Sequence, residues 1–367
     1  MQKNDYIWTH HLTTFMLRTR FGIVGTGRIS DWVLKGAVLD PRFEAAAICS
    51  RTREKAEEFA SAHGIGKIYT DIDAMASDPD IDAIYIGTPN HTHHDIAIRC
   101  LNHGKHVLCE KPLASNALEV RDMMAAANAN GVMLMEAMIS TLTPNFRAAA
   151  QALKTLGTPR RYFSAYCQYS SRYDLFKRII SGEDRSPVPS SFNPDCSGGV
   201  TMDIGIYTIY PMVVLFGAPD SLEASLTTCS VPVPGGMKPI DLQGSVLFRY
   251  PEMEAVVMYS KIADSNLPAE IACDGGILTL DHINIARRVW ITPRGIPSSG
   301  RSNGPSANEI TVQVDKNEYF CEFREFIDTV QSGGRESSVN TLATSLAVAK
   351  ILDEIRRQAG VIEPSDS

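Results

Sequence analysis

The sequence predicts an α/β protein with a doubly wound parallel sheet in its first half and an α+β domain with a mainly antiparallel open sheet in its second half. Two observations support this prediction. Between residues 20 and 136, short apolar runs alternate with helix-like segments, which is typical of parallel strands joined by crossover helices. After about residue 220, apolar runs follow one another without intervening helices, which indicates strands that pair mostly antiparallel.

The chain length indicates two domains, because 367 residues exceed what one compact core usually holds. We expect an N-terminal extension over 1–17, a first domain over 18–138 and a second domain over 139–367. A Pro/Gly/Ser-rich stretch at 293–307 predicts an exposed hairpin loop. Apolar residues at helical spacing predict two final amphipathic helices, at about 318–331 and 341–358.

Composition argues against several classes of partner. Hydrophobic residues make up 44% and charged residues 21%, an ordinary globular balance. The net charge of −7 and the lack of a basic stripe argue against nucleic acid, and no apolar run is long enough for a membrane span. Eight scattered cysteines without metal-ligand spacing indicate reduced thiols and no metal site. With no signal peptide evident, we expect a cytoplasmic protein.

The segment IVGTGRIS is the strongest local motif of the first half, because it follows a predicted strand and opens a predicted helix. In that context the glycines permit a tight turn, and the helix N-terminus offers N–H donors to a pyrophosphate. The third small position is Ser30, a departure from the ideal glycine pattern, so an ordinary glycine turn is the alternative. The predicted cofactor contacts here are Gly25, Thr26, Gly27, Arg28 and Ile29.

The end of the second predicted strand indicates which nicotinamide cofactor is bound. An NAD site would place Asp or Glu there to accept the ribose hydroxyls, whereas this chain has Ser50 and Arg51, with Lys55 nearby. A guanidinium can hold a 2′-phosphate through charge-assisted hydrogen bonds, so we predict NADP. Two alternatives stay open: Arg51 is simply solvated, or Glu54 serves NAD.

Four motifs in this order, GTGRIS, GTPNHTHHD, CEKPLA and GGVTMDIGIY, resemble those of the Gfo/Idh/MocA oxidoreductases. The resemblance runs from about residue 20 to the C-terminus. It is strongest with the branch of dihydrodiol dehydrogenase, xylose dehydrogenase and glucose-fructose oxidoreductase, because Tyr207 stands where most members carry His. It implies a Rossmann domain followed by a substrate domain, and hydride transfer to or from a nicotinamide.

The resemblance also implies that Thr88, Pro89, Asn90 and His93 line the nicotinamide side of the cofactor. Their position agrees with this role, since ligands of open parallel sheets bind beyond the carboxyl ends of the strands. The nearby histidines lack the carboxylate or thiol partners of a metal site.

Lys111 ends a predicted buried strand, where an ammonium is costly unless it faces a cleft or a carboxylate. A functional role is therefore favoured, with Glu110 orienting the lysine. The resemblance implies that Lys111 touches both the cofactor and the substrate hydroxyl, and Glu110 is counted among the cofactor contacts.

Asp203 and Tyr207 lie four residues apart, so in a helix both project from one face. Hydride removal from a carbinol requires the hydroxyl proton to leave, and an ordinary phenol is a weak base at neutral pH. We expect Lys111 to lower the Tyr207 pKa and to stabilise alkoxide character, while Asp203 holds the lysine or a substrate hydroxyl. The alternative is that Tyr207 only packs in a helix interface with Tyr210 and Tyr166.

The second predicted domain contributes weaker candidates. Arg172, Lys177 and Tyr169 could bind a sugar or simply be exposed on the surface. The predicted substrate contacts are Lys111, Arg172, Asp203 and Tyr207.

Taken together, these residues predict a dehydrogenase, NADP-preferring, that acts on a sugar, polyol or dihydrodiol. An NAD-dependent inositol or glycoside dehydrogenase and a non-catalytic NAD(P)-binding sensor stay open as alternatives. We also expect a homodimer or homotetramer that forms through the second sheet.

Overall fold

The computed structural model describes residues 17–295 and 307–362. The predicted extension at 1–17, apart from its last residue, lies outside the described residues, and so does most of the predicted loop at 293–307.

The first half forms a parallel sheet of six strands in the order β3-β2-β1-β4-β5-β6, which confirms the predicted doubly wound arrangement. Apolar runs flanked by polar turns form the strands, and the segments between them are helices on both faces. The strands are β1 (Thr19–Val24), β2 (Phe43–Cys49), β3 (Lys67–Tyr69), β4 (Ala83–Ile86), β5 (His106–Glu110) and β6 (Leu134–Ala137). The helices are α1 (Arg28–Ala37), α2 (Arg53–His63), α3 (Ile72–Ala76), α4 (His93–Asn102) and α5 (Ala117–Asn130).

The second half forms a sheet of eight strands in the order β14-β13-β12-β11-β7-β10-β9-β8. Among the described strands of this second sheet, only β7 and β10 pair in parallel. The predicted, mainly antiparallel sheet is therefore confirmed. The strands are β7 (Pro159–Cys167), β8 (Ser221–Val233), β9 (Gly236–Arg249), β10 (Glu254–Ser260), β11 (Ala269–Cys273), β12 (Gly276–Leu280), β13 (Val289–Pro293) and β14 (Asn308–Glu309). The remaining helices are α6 (Pro144–Leu153), α7 (Tyr173–Ile180), α8 (Ile206–Phe216), α9 (Tyr319–Gln331) and α10 (Leu342–Gln358).

One face of the second sheet is buried against α8 and α10. Alternate residues of the strands, such as Tyr162, Phe248 and Val257, point into this core and meet Ile209 and Ile355 of the two helices. The segment Pro194–Phe216 is long and apolar enough, by length and composition, to cross a membrane. Because 72% of its most apolar 18-residue stretch is buried inside the protein, we interpret the segment as a core helix.

The helix α9 returns to the first sheet, although its sequence position belongs to the second half. Phe323 packs 5.4 Å from Phe21 and 5.2 Å from Phe43, measured between ring centroids. A side chain at Gly36 of α1 would meet the backbone of α9, since a Cβ there would lie 2.7 Å from the Phe320 nitrogen. The start of α9 also lies near the end of β5, because Tyr319 interacts electrostatically with Glu110 and Lys111.

Glu136 of β6 supports the turn that follows β5. Its side chain is 2% exposed, and Oε1 accepts a hydrogen bond from the Leu113 N–H at 3.0 Å. Burial raises the Glu136 pKa from its usual 4.5 to about 7, against the opposing hydrogen bonds from Ser345 and Leu113. The Glu136 carboxyl group beneath this turn therefore stays protonated up to nearly neutral pH.

We predict that Glu136→Gln removes part of the pH dependence of stability. Between pH 4.5 and about 7 the unfolded side chain is ionised while the folded one keeps its proton. The free energy of unfolding therefore falls as pH rises, by up to about 1.4 kcal/mol per pH unit. The E136Q variant should melt above wild type at pH 8 and approach it near pH 4.5, measured by thermal denaturation. The exposed control Glu58→Gln should follow the wild-type profile. An E136Q melting temperature that tracks wild type at every pH would contradict the raised pKa.

Candidate active site

The turn after β1 has the geometry of a phosphate-binding loop. Gly25 has a φ of +103°, and a Cβ there would lie 2.6 Å from the Gly87 carbonyl oxygen, so only glycine fits. Gly27 precedes α1 without any side-chain cap, which leaves the first N–H groups of the helix available to an anion. Ser30, in the third small position, is buried and would contact a Cβ placed on Gly87. Together these features fit a dinucleotide pyrophosphate beside Thr26 and Ile29.

The end of β2 presents exposed cations next to this turn. Arg51 and Lys55 are exposed, and no ion pair engages the Arg51 guanidinium among the residues that the structure describes. Arg53 differs, because it pairs with Glu57 at 2.9 Å. The Arg28 guanidinium lies 5.0 Å from the ring centroid of Trp32, one turn further along α1. Ser50 is half-buried, and its backbone N–H bonds to β3.

The loop after β4 lies beside the glycine turn, but two of its predicted contact residues are held by protein atoms. The ring nitrogens of buried His93 lie 2.9 Å from the carbonyl oxygens of Thr88 and Pro112, and burial lowers the His93 pKa. Asn90 donates its amide N–H to the Ser197 carbonyl oxygen of the second half at 2.9 Å. The His93 ring therefore stabilises the loop through these two carbonyl groups. Asn90 connects the loop to the second half of the chain.

The Lys111 ammonium meets the second half of the chain, although it comes from the first. Its Nζ lies 3.0 Å from Asp203 Oδ1, 2.9 Å from the Asp203 carbonyl oxygen and 4.8 Å from the Tyr207 ring centroid. Burial disfavours the ammonium, but Tyr207 and Asp203 outweigh it and raise the Lys111 pKa above its ordinary value. The Lys111–Pro112 peptide bond is cis. The structure thus brings the three predicted catalytic side chains together.

Glu110 makes different contacts from those expected. Its Oε1 accepts the Tyr85 hydroxyl at 2.8 Å, and its Oε2 accepts the backbone N–H of Lys111 at 3.2 Å. Glu110 therefore fixes the backbone at Lys111, and the ammonium itself is oriented by Asp203. Burial raises the Glu110 pKa.

The local structure around Asp203 is not a regular α-helix. A wide π-helical turn covers Thr201–Gly205, and α8 continues from Ile206. Such wide turns are frequent at functional sites. Asp203 lies in the turn and Tyr207 in the first turn of α8, so both face the same ammonium, as their spacing predicted.

Lys261, which the sequence reading missed, completes the cluster. It follows β10, its side chain is 2% exposed, and its Nζ lies 2.8 Å from Asp203 Oδ2. The carboxylate of Asp203 is thus shared by two ammoniums, which hold its pKa below the ordinary value despite the loss of solvation. A lysine directly after an apolar strand was the signal that singled out Lys111, and YSKI carries the same signal.

The expected lowering of the Tyr207 pKa is wrong for the protein as described. Lys111 does favour the phenolate, but burial has the larger effect and raises the Tyr207 pKa above 10. Tyr207 also packs edge to face against Tyr166, with ring centroids 5.6 Å apart. Tyr210 faces elsewhere and lies 3.1 Å from Ser345, hydroxyl to hydroxyl. The phenol of Tyr207 is therefore neutral at neutral pH.

The weaker candidates lie on the segment around the start of α7. Arg172 is exposed at the N-terminus of this helix. Lys177 bonds to Asp174 at 2.9 Å and to the Tyr169 hydroxyl at 3.2 Å. The segment reaches the site through its backbone, since the Ser170 N–H donates to the Lys261 carbonyl oxygen at 2.9 Å.

Comparisons with known proteins agree with this geometry. The model of an oxidoreductase family with an NAD-binding Rossmann fold, GFO_IDH_MocA, matches residues 19–138, and the GFO/IDH/MocA C-terminal domain matches residues 146–279. The scyllo-inositol 2-dehydrogenase (NADP(+)) IolU of Bacillus subtilis (strain 168) is 42% identical over 347 residues, which cover 95% of this chain and 99% of that protein. The trans-1,2-dihydrobenzene-1,2-diol dehydrogenase of Xenopus laevis is 30% identical over 357 residues, which cover 95% of this chain and 100% of that protein.

The fold is also found in solved structures. Levoglucosan dehydrogenase in complex with NADH superposes with a TM-score of 0.80 at 21% identity, covering 94% of this chain and 97% of that one. The chain therefore belongs to the Gfo/Idh/MocA family of oxidoreductases with an NAD-binding Rossmann domain, which confirms the predicted family, fold class and class of enzyme.

Proposed function

We propose that the chain is an NADP-preferring dehydrogenase that acts on a secondary hydroxyl of a cyclic polyol such as scyllo-inositol. The observation that carries the proposal is the Lys111–Asp203–Tyr207 cluster at the carboxyl end of β5, next to the glycine turn. The substrate class is supported by the 42% identity to a scyllo-inositol dehydrogenase that uses NADP, and the cofactor by Arg51.

The first half holds the cofactor in this proposal. The N-terminus of α1, with Gly25, Gly27 and Arg28, takes the pyrophosphate, and Arg51 with Lys55 takes the 2′-phosphate. Of the remaining predicted contacts, Thr26 and Ile29 belong to the pyrophosphate end and Ser50 to the 2′-phosphate end. The others belong to the nicotinamide end: Thr88, Pro89, Asn90, Glu110 and Lys111. When bound, the nicotinamide accepts or supplies the hydride.

Lys111 positions the substrate oxygen. An ammonium has three N–H donors, and Asp203 accepts two of them, so the third is available to the reacting oxygen. The side chain is 14% exposed, so the ammonium is not fully closed off from the cleft. The retained positive charge stabilises negative charge that develops on the oxygen.

Tyr207 moves the proton. As a neutral phenol it donates to the carbonyl oxygen when the substrate is reduced. In the oxidative direction the phenol must first ionise, so oxidation becomes faster as pH rises. Asp203, whose side chain is 37% exposed, and Arg172 of the neighbouring segment are proposed to bind further hydroxyls of the polyol.

The domain limits and the assembly belong to the same proposal. Residues 18–138 bind the dinucleotide and 139–367 bind substrate, in a cytoplasmic homo-oligomer.

The face of the second sheet opposite α8 and α10 supports the assembly. It carries half-buried Phe163, Leu247, Val256 and Met258, which belong to none of the core clusters of the described residues. A contiguous apolar face of this kind is typical of subunit interfaces.

We predict that Arg51→Ala weakens NADP binding by about 10- to 100-fold, the loss expected for charge-assisted hydrogen bonds to a phosphate. NAD, which has no 2′-phosphate, should bind with nearly unchanged affinity. The measurement is fluorescence titration with NADPH and NADH. The matched control is Arg53→Ala, because Arg53 is already paired with Glu57. Equal losses for both cofactors would remove the argument for NADP.

We predict that wild-type protein oxidises scyllo-inositol with NADP⁺ at a rate that rises with pH, and that Tyr207→Phe lowers kcat by about 100- to 10,000-fold. NADPH affinity should stay within about twofold of wild type, because the lost hydroxyl serves proton transfer. Absorbance at the reduced-nicotinamide band follows turnover, and Tyr250→Phe is the control outside the cluster. Undiminished turnover in Y207F would exclude Tyr207 from proton transfer. NADPH binding without turnover on polyols, inositols or aldoses would favour a sensor.

We predict that Val256→Asp converts the oligomer to a monomer, because a carboxylate on the apolar face cannot be desolvated without a partner. Light scattering coupled to size-exclusion chromatography measures the mass. Ser61→Asp on the exposed face of α2 is the control and should keep the wild-type mass. A wild-type protein that is already monomeric, or a V256D variant of unchanged mass, would show that this face is not the interface.

A further inference from the structure

Lys261 is the most deeply buried ammonium that faces the site. Its side chain is 2% exposed, and two of its donors are accepted, by Asp203 Oδ2 and by the Ser191 carbonyl oxygen, each at 2.8 Å. The ammonium also lies 4.4 Å from the ring centroid of Phe192. Because its side chain is 2% exposed, against 14% for Lys111, the Lys261 ammonium is closed off from the cleft and does not reach a substrate.

The two oxygens of Asp203 are divided between two lysines. The Lys111 Nζ lies 3.0 Å from Oδ1, and the Lys261 Nζ lies 2.8 Å from Oδ2. A carboxylate held by one partner can still rotate about its Cβ–Cγ bond, whereas one held at both oxygens by groups from separate strands cannot. The position of the Lys111 ammonium follows from that of Asp203.

We propose that Lys261 is a positioning residue for the reaction, which locks the Asp203 carboxylate so that Lys111 presents its remaining N–H to the reacting oxygen. Lys261 does not touch the substrate. It acts through Asp203, and its removal disturbs the chemistry while leaving the cofactor site of the first half intact.

The arrangement has an electrostatic consequence for the same site. Two ammoniums and one carboxylate leave one positive charge beside the phenol of Tyr207, whereas a single ammonium would be neutralised by Asp203. A net positive charge favours alkoxide character at the reacting oxygen. The titratable groups around Asp203 are Lys111 from the end of β5, Lys261 after β10, Tyr207 of α8, Tyr166 of β7 and, beyond Lys111, Glu110.

The first test measures the Asp203 carboxylate directly and needs no substrate, so it is independent of the proposed polyol activity. The full-length protein is labelled with ¹³C-carboxyl aspartate, and the Asp203 signal is assigned by its loss in Asp203→Asn. In wild type the signal should not titrate between pH 8 and 4. In Lys261→Met the signal should titrate within this range, because burial raises the carboxylate pKa and one of the two ammoniums that lower it is gone.

The second test is kinetic and rests on the proposed function. Lys261→Met should lower kcat for scyllo-inositol oxidation by about 100-fold, as expected for a slightly misplaced catalytic group, while NADPH affinity stays unchanged. Lys261→Arg keeps the charge and should recover most of the rate. A role in folding alone would instead lower the melting temperature without shifting the Asp203 titration.

Three results would overturn the proposal. They are an Asp203 signal in K261M that titrates as in wild type, a K261M variant with wild-type kcat, or a wild-type Asp203 midpoint above pH 4. If K261M fails to fold, Lys261→Gln is measured in its place, and a K261Q signal that stays flat between pH 8 and 4 would contradict the proposal. Absence of any activity on scyllo-inositol, with the carboxylate titration as expected, would refute the substrate and retain the positioning role.

Discussion

The ion pair between Lys111 and Asp203 is the constraint on which the site depends. An ammonium 14% exposed at the end of a buried strand requires an anion, and among the described residues Asp203 is the only carboxylate within 4.0 Å of it. The neighbouring Glu110 instead accepts hydrogen bonds from the Tyr85 hydroxyl and the Lys111 backbone N–H. The carboxylate comes from the π-helical turn of the second half. The two halves of the chain therefore form one site, because the Lys111 ammonium of the first half has its carboxylate partner in the second half.

Much of this arrangement could be predicted because it is encoded locally. Alternating strands and helices place every β-to-α turn at the same edge of a parallel sheet, so Gly25, Thr88 and Lys111 had to meet there. The four-residue spacing of Asp203 and Tyr207 placed both on one helical face. Sheet geometry and helical periodicity therefore account for the arrangement within each half of the chain.

The remaining features depend on register and burial, which local patterns do not show. Lys261 is 58 residues from Asp203 in sequence, and their contact follows from the pairing of β10 with β7 and β9. The pKa of Tyr207 was predicted from its charged neighbour, but the depth of burial that reverses it was not visible. His93 was assigned to the cofactor by its motif, yet both ring nitrogens face carbonyl oxygens of the protein.

The raised Tyr207 pKa and the Lys261 contact have a common consequence for the chemistry. Burial keeps the Tyr207 phenol protonated, and Lys261 balances Asp203, so the Lys111 charge is not cancelled. A neutral proton donor beside a retained ammonium stabilises a substrate oxygen that gains negative charge and then a proton, which is the reductive direction. Oxidation through the same groups requires the phenol to ionise first, so its rate depends on pH while the geometry stays the same. In the proposed mechanism, the protonated phenol is therefore the form that serves carbonyl reduction, and the ionised phenol is the form that serves hydroxyl oxidation.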